Sequence, residues 1–135
     1  MSENSYLLDT HLLLWIAFDS KQIPKKTTLL LNDWSNHFYY SPANLWEIGI
    51  KNHLGKKDFQ IDLELLQGVL LDHEYRLLTI SGEHAIVANN LPNIHKDPFD
   101  RMLVAQAYCE KLTLLTSDKT LAIYKKNGGF PIQIV

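Results

Sequence analysis

The sequence predicts an α/β fold of three layers, α/β/α, with a central, mainly parallel sheet of about five strands. Two observations carry that expectation. Short runs that are apolar on both faces alternate with longer stretches of helical periodicity, and strands buried on both sides belong to parallel sheets covered by helices. Residues that start and stop helices stand between the runs at the positions where they are needed. The 135 residues are read as one domain, 1–135, long enough to bury a core.

In chain order, Tyr6-Leu7-Leu8-Asp9-Thr10 is a short apolar run ending in an acid, the mark of a buried strand. Leu12 to Phe18 reads as helix, with Asp9 or Thr10 available as its cap. A second helix follows Pro24, from Lys25 to about Trp34. The aromatic run His37–Ser41 is the second strand. Ser41-Pro42 is a cap followed by proline and opens a helix through Leu54, stopped by Gly55. After the polar stretch Lys56–Gln60, Asp62 to about His73 is amphipathic, with Leu63, Leu66, Val69 and Leu70 on one side. Arg76–Ile80 is the third strand, and Ser81 caps a short helix to Leu91. Asp97 caps a helix that begins at Pro98. Leu112–Thr116 is the fourth strand, Lys119–Lys126 a helix ended by Gly128-Gly129, and Pro131–Val135 a last strand.

A hydrophobic fraction of 46% with 21% charged residues excludes a disordered chain. The formal charge of −2 gives no overall attraction to nucleic acid, so a local patch or a metal would have to supply it. The single Cys109 excludes an internal disulfide and suits a reducing compartment. No apolar run is long enough to cross a bilayer, and Met1–Ser5 lacks the basic segment of a signal peptide. The expectation is a cytoplasmic protein without membrane association.

Function is carried by acids. Ligands of an open parallel sheet bind beyond the carboxyl ends of its strands, near the switch in strand order. Asp9 directly follows the first strand and Asp118 the fourth. Asp100 lies in the first turn of the helix leading to the fourth, beside Val104, Ala107 and Tyr108 at helical spacing. Glu47 lies within two turns of the start of the helix after the second strand, among Leu45, Trp46, Ile48 and Ile50. Each has a plainer reading: Asp9 and Asp118 as helix caps, Asp100 as a first-turn acid at the positive end of the macrodipole, Glu47 as the i, i+4 partner of Lys51. Together the acids form a constellation. Four carboxylates without committed cations repel and raise one another's pKa values, and a divalent metal relieves this. An all-oxygen set without Cys or paired His points to Mg²⁺ or Mn²⁺ and away from Zn²⁺.

These residues resemble a known family, the PIN domains, and closely the VapC-type ribonuclease toxins of bacterial toxin–antitoxin pairs. The matching motifs are Tyr6-Leu-Leu-Asp-Thr-His11, Ser41-Pro-Ala-Asn-Leu-Trp-Glu-Ile-Gly-Ile-Lys51, the run from His95 to Ala107, and Leu114-Leu-Thr-Ser-Asp118. They cover essentially the whole chain, in order. The resemblance implies Mg²⁺- or Mn²⁺-dependent cleavage of single-stranded or looped RNA, with Asp9, Glu47, Asp100 and Asp118 as the metal-binding, catalytic acids. Asp97 then serves as cap or supporting acid, and Thr10, Ser117 and Asn44 orient carboxylates or water. No side chain stands out as general base. His11, Lys51, His95, Lys96 and Arg101 are candidates to hold phosphates, Lys51 and Arg101 foremost, and the remaining histidines read as structural.

The resemblance also implies a cognate VapB-like antitoxin covering the acidic pocket, and a homodimer. A helix in an apolar groove is a common mode for such a partner, and the helices bearing Trp15 and Trp46 are candidates to form the groove, with core packing as the alternative for both rings. A PIN-fold protein that binds RNA or a partner without cutting it is the reading from another class; the four intact acids stand against it. Haloacid-dehalogenase-like phosphatases and receiver domains also place an Asp after strand one. The first need another Asp where His11 stands, and the second need paired acids before the acceptor, which the chain lacks.

Overall fold

The computed structural model describes residues 4–55, 60–93 and 95–135. Among them are strands β1 (Ser5–Leu8), β2 (His37–Tyr40), β3 (Arg76–Leu77), β4 (Thr113–Thr116) and β5 (Ile132–Ile134). The helices are α1 (Thr10–Ala17), α2 (Lys25–Leu31), α3 (Pro42–His53), α4 (Leu63–Asp72), α5 (Gly82–Asn90), α6 (Pro98–Glu110) and α7 (Ala122–Gly128). The strands form one sheet in the order β3-β2-β1-β4-β5, parallel at every pairing.

Side chains alternate along a strand, so adjacent residues serve opposite faces. Leu7, Tyr39 and Leu114 enter one core with Leu103, Val104, Leu112 and Tyr124. Their neighbours Leu8, Tyr40 and Leu115 enter a second core with Leu12, Leu13, Ile48, Leu66 and Leu70. Helices therefore cover both faces, which is the three-layer α/β/α arrangement. Full burial of one such side chain contributes about 1.5–3 kcal/mol. The helix starts follow local chemistry: Asp9, Ser41, Asp62, Ser81 and Asp97 each accept a first-turn N–H. Beyond the end of α3, Gly55 takes φ +68°, which a side chain would resist.

Three elements are shorter than the sequence predicts. β3 stops at Leu77 instead of Ile80, because Gln106 Nε2 captures the carbonyls of Leu78 and Thr79 at 3.1 and 3.4 Å. α2 ends at Leu31, where Asp33 folds the chain into a turn by accepting from Ser35. The segment after β4 opens as a 3₁₀ turn, Lys119–Leu121, before α7. The polar stretch Lys56–Gln60 lies outside the described residues apart from Gln60. No helix among the described residues is long and apolar enough to cross a membrane.

β1 sits at the centre, with β2 on one side and β4 on the other. The chain steps outward from β1 to β2 and β3, then returns to pair β4 with β1, so the strand order reverses between β1 and β4. Open α/β sheets bind ligands at that switch, beyond the carboxyl ends. Asp9 and Asp118 follow those two strands.

Candidate active site

Asp9 is 3% exposed. Its Oδ1 accepts from Leu12 N at 2.8 Å, and its Oδ2 accepts from the Thr116 hydroxyl and from Ser117 N at 3.3 Å. Capping and burial thus act on one carboxylate. Burial pushes its pKa up, opposed by the Thr116 hydroxyl, the Leu12 and Ser117 amides and nearby His11. Thr116 Oγ1 also accepts from Asp118 N at 3.0 Å, so one hydroxyl bridges the ends of β1 and β4. Asp118 caps the following 3₁₀ turn, its Oδ1 accepting from the Thr120 amide and hydroxyl at 2.9 and 2.7 Å.

On α3, Glu47 is 9% exposed. The Thr10 hydroxyl donates to its Oε1 at 2.6 Å and Lys51 Nζ lies 3.3 Å from its Oε2. The i, i+4 pair with Lys51 therefore exists, on a carboxylate turned inward and not on a solvated face. Asn44 anchors this group: its Nδ2 donates to Leu8 O and to Thr10 Oγ1, and its Oδ1 accepts from Ser41 N. α3 is braced against α6 by Trp46, whose ring meets Phe99 edge-on with centroids 5.6 Å apart. Glu47 and Asp100 directly follow these two aromatics in sequence, and the charge of Glu47 reaches Asp100.

Asp100, on the first turn of α6, stands 2.8 Å from His95 Nε2 through Oδ2. Its pKa is raised from 3.8 to about 6, first by desolvation, with the charges of Asp97 and Glu47 adding and the His95 bond and charge opposing. Asp97 caps α6 through bonds to Phe99 N and Asp100 N. One ring nitrogen of His95 and one carboxylate oxygen each from Asp100 and Asp118 lie within 4.8 Å of one another, the one such trio of His, Cys, Asp or Glu among the described residues.

The structure thus brings Asp100 and Asp118 together, ties Asp9 to Asp118 through Thr116, and brings the charge of Glu47 to bear on Asp100. The premise of four carboxylates without committed partners needs correcting: Lys51 sits on Glu47 and His95 on Asp100. Arg101 is also corrected as a phosphate contact. Its guanidinium donates to the carbonyls of Ala88, Asn89, Leu91, Pro92 and His95 and to the Tyr124 hydroxyl, which occupies its donors inside the protein. Ser117 contributes its amide to Asp9, and the hydroxyl that does so is that of Thr116, which sequence reasoning passed over. His84 behaves structurally, accepting from Ser81 N and pairing with Glu110 at 3.0 Å.

The donor set suits a divalent cation. Two carboxylates and an imidazole lie close together, and desolvation, with the charges of Asp97 and Glu47 adding, disfavours the ionised form of Asp100, a burden that a bound cation relieves.

The PIN domain family model matches residues 6–127. The chain belongs to the PIN domain family. Solved structures of similar fold include VapBC2 from Rickettsia felis, determined bound to a DNA fragment from its promoter, at 16% identity, TM-score 0.68, and coverage of 97% of this chain and 98% of that one. A toxin–antitoxin complex from Klebsiella pneumoniae aligns at 18% identity and TM-score 0.60 over 95% of both chains. FitAcB from Neisseria gonorrhoeae aligns at 16% identity and TM-score 0.63, over 94% of this chain and 95% of that one. These likenesses establish the PIN fold. No curated protein sequence matches the chain.

Proposed function

We propose that this PIN domain is a divalent-metal-dependent endoribonuclease, the toxin of a VapBC-type pair, held inactive by a cognate antitoxin. The observation that carries this reading is the pairing of Asp100 and Asp118 at the switch point, with Asp9 and Glu47 fixed beside them. Asp100 and Asp118 are the residues to hold Mg²⁺ or Mn²⁺, and Asp9 and Glu47 complete the acidic set. When bound, the ion offsets charge on a scissile phosphodiester and lowers the pKa of water. The chain's own groups keep the site in shape. Thr116 orients Asp9 and Thr10 orients Glu47, while Asp97 fixes the turn that carries Asp100. Lys51, whose Nζ lies 3.3 Å from Glu47 Oε2, is the side chain proposed to meet a phosphate at the rim of the acidic set.

The partner reading draws on the similar structures, which include a toxin–antitoxin complex, and on surface chemistry. Trp46 is 68% exposed and lines an open apolar groove with Leu45, Ile50 and Leu63, a shape that an amphipathic helix fills. Trp15 packs against the core and is no part of that groove. A homodimer remains an implication of the family likeness.

Incubating the purified protein with pooled cellular RNA tests the nuclease. With Mg²⁺ or Mn²⁺, discrete fragments are expected, and EDTA or Asp100→Asn is expected to abolish them. Cleavage that survives both would contradict the proposed site. Metal binding without cleavage of any RNA would favour a PIN-fold binding module.

A further inference from the structure

We propose that His95 is a direct nitrogen ligand of the divalent cation, making the site a mixed nitrogen–oxygen centre that favours Mn²⁺ over Mg²⁺. The inference rests on reading the site as a metal centre. It departs from the all-oxygen set that the acids alone suggest.

Three observations carry it. The first is spacing. Metal–ligand bonds of about 2.0–2.2 Å hold two ligand atoms no more than about 4.4 Å apart even on opposite sides of an ion. One His95 ring nitrogen and the Asp100 and Asp118 oxygens fall within 4.8 Å of one another, so shifts of a few tenths of an ångström bring them into one shell.

The second is anchorage. The His95 amide donates to the Tyr124 hydroxyl at 3.3 Å, and its carbonyl accepts from Arg101 Nη1 at 3.1 Å and from that hydroxyl at 3.3 Å. Tyr124 is wholly buried, in the core that also holds Leu7, Leu103, Val104 and Leu114. The backbone beneath the imidazole is therefore fixed from the protein interior, and a ligand held in this way loses little freedom on binding. Arg101 and Tyr124 are positioning residues for His95.

The third is selectivity by donor type. Mg²⁺ takes oxygen and dehydrates reluctantly, whereas Mn²⁺, although also suited to carboxylates and weakest of the first-row series for a nitrogen donor, accepts an imidazole more readily than Mg²⁺ does. A nitrogen at this position discriminates between the two cations otherwise admitted by Asp100 and Asp118. The competing role is an outer one, in which His95 donates its N–H to Asp100 and orients that carboxylate without touching the ion.

Pulsed electron paramagnetic resonance of the Mn²⁺-loaded protein separates these roles, because a directly bound imidazole gives a nitrogen hyperfine coupling. The wild-type protein is expected to show that coupling. His95→Gln is expected to lose it and to bind Mn²⁺ at least about tenfold more weakly, the lower end of the loss seen even for outer partners, with Mg²⁺ affinity changed much less. His11→Gln, which alters the imidazole beside Asp9, should leave the coupling in place. Bound Mn²⁺ without nitrogen coupling in the wild type would overturn the proposal and leave the metal centre standing, with His95 as an outer partner. Coupling that persists in His95→Gln would overturn it in favour of another histidine. Failure of the wild type to bind Mn²⁺ at all would overturn both the proposal and the metal-centre reading.

Discussion

Asp100 titrates near 6 against an ordinary 3.8, first because burial strips water from its charged form. A carboxyl whose folded pKa lies above its unfolded value binds a proton more tightly in the folded state. Its stabilising contribution is therefore present below about pH 4 and is withdrawn as pH rises through about 6. Metal-free wild type is expected to lose stability relative to Asp100→Asn as the pH is raised from about 4 to about 7, where the variant keeps an uncharged group of nearly the same shape. Thermal unfolding of both proteins in EDTA across that range measures this; parallel curves would show that burial of Asp100 is not felt. Adding Mn²⁺ is expected to reverse the order, since an ion that binds only the folded state stabilises it. At this scale the acids were legible in the sequence, because each stands just after a strand or within the first turns of a helix. Thr116 was not. Its bond to Asp9 joins residues 107 positions apart, and it depends on the register that sets Leu8 opposite Leu115, which no local pattern encodes. His95 was visible as a polar neighbour of the motif, but the contacts that hold its backbone come from Arg101 and Tyr124, the latter 29 residues away.

At the scale of elements, α6 organises the site. Asp97 caps it, Pro98 opens it, and the cap sets Asp100 on the turn that faces Asp118. Those features were readable because capping is local chemistry. Arg101, one residue further, was legible only as a charge, and a surface contact with phosphate was the natural expectation. The structure turns it inward, where it gathers carbonyls from the end of α5 and the loop leading to α6. A planar fork with five donors can serve several carbonyls spread over two segments, whereas an ammonium offers three donors on one nitrogen and a thioether offers none. Arg101→Met is expected to destabilise the protein by about 1.5–3 kcal/mol, the range for losing hydrogen bonds from a charged group. Arg101→Lys should recover only part of that. Urea unfolding of the two variants checks the order; equal stability with wild type would mean that the loop carbonyls find water as readily as guanidinium. The early end of β3 has a similar cause, since Gln106 is distant in sequence from the carbonyls that it captures.

For the whole molecule, the alternation of apolar strands with helices was enough to predict a parallel sheet covered on both faces. Strand order was not encoded in any single segment, and it is the order that gives the site its position. With β1 central and the reversal between β1 and β4, Asp9 and Asp118 stand at the ends of neighbouring strands, and α3 and α6 supply Glu47 and Asp100. A net charge of −2 leaves the molecule as a whole without attraction for nucleic acid, so under the proposed function a local patch or a cation held by the acids would supply it. The central claim is therefore where the cation sits. Anomalous diffraction from a crystal soaked in Mn²⁺ locates it directly. A peak bridging Asp100 and Asp118 at the carboxyl edge of the sheet is expected, absent in Asp100→Asn. A peak only elsewhere, such as beside His37 and His73 at the opposite edge, or no peak at all, would contradict it.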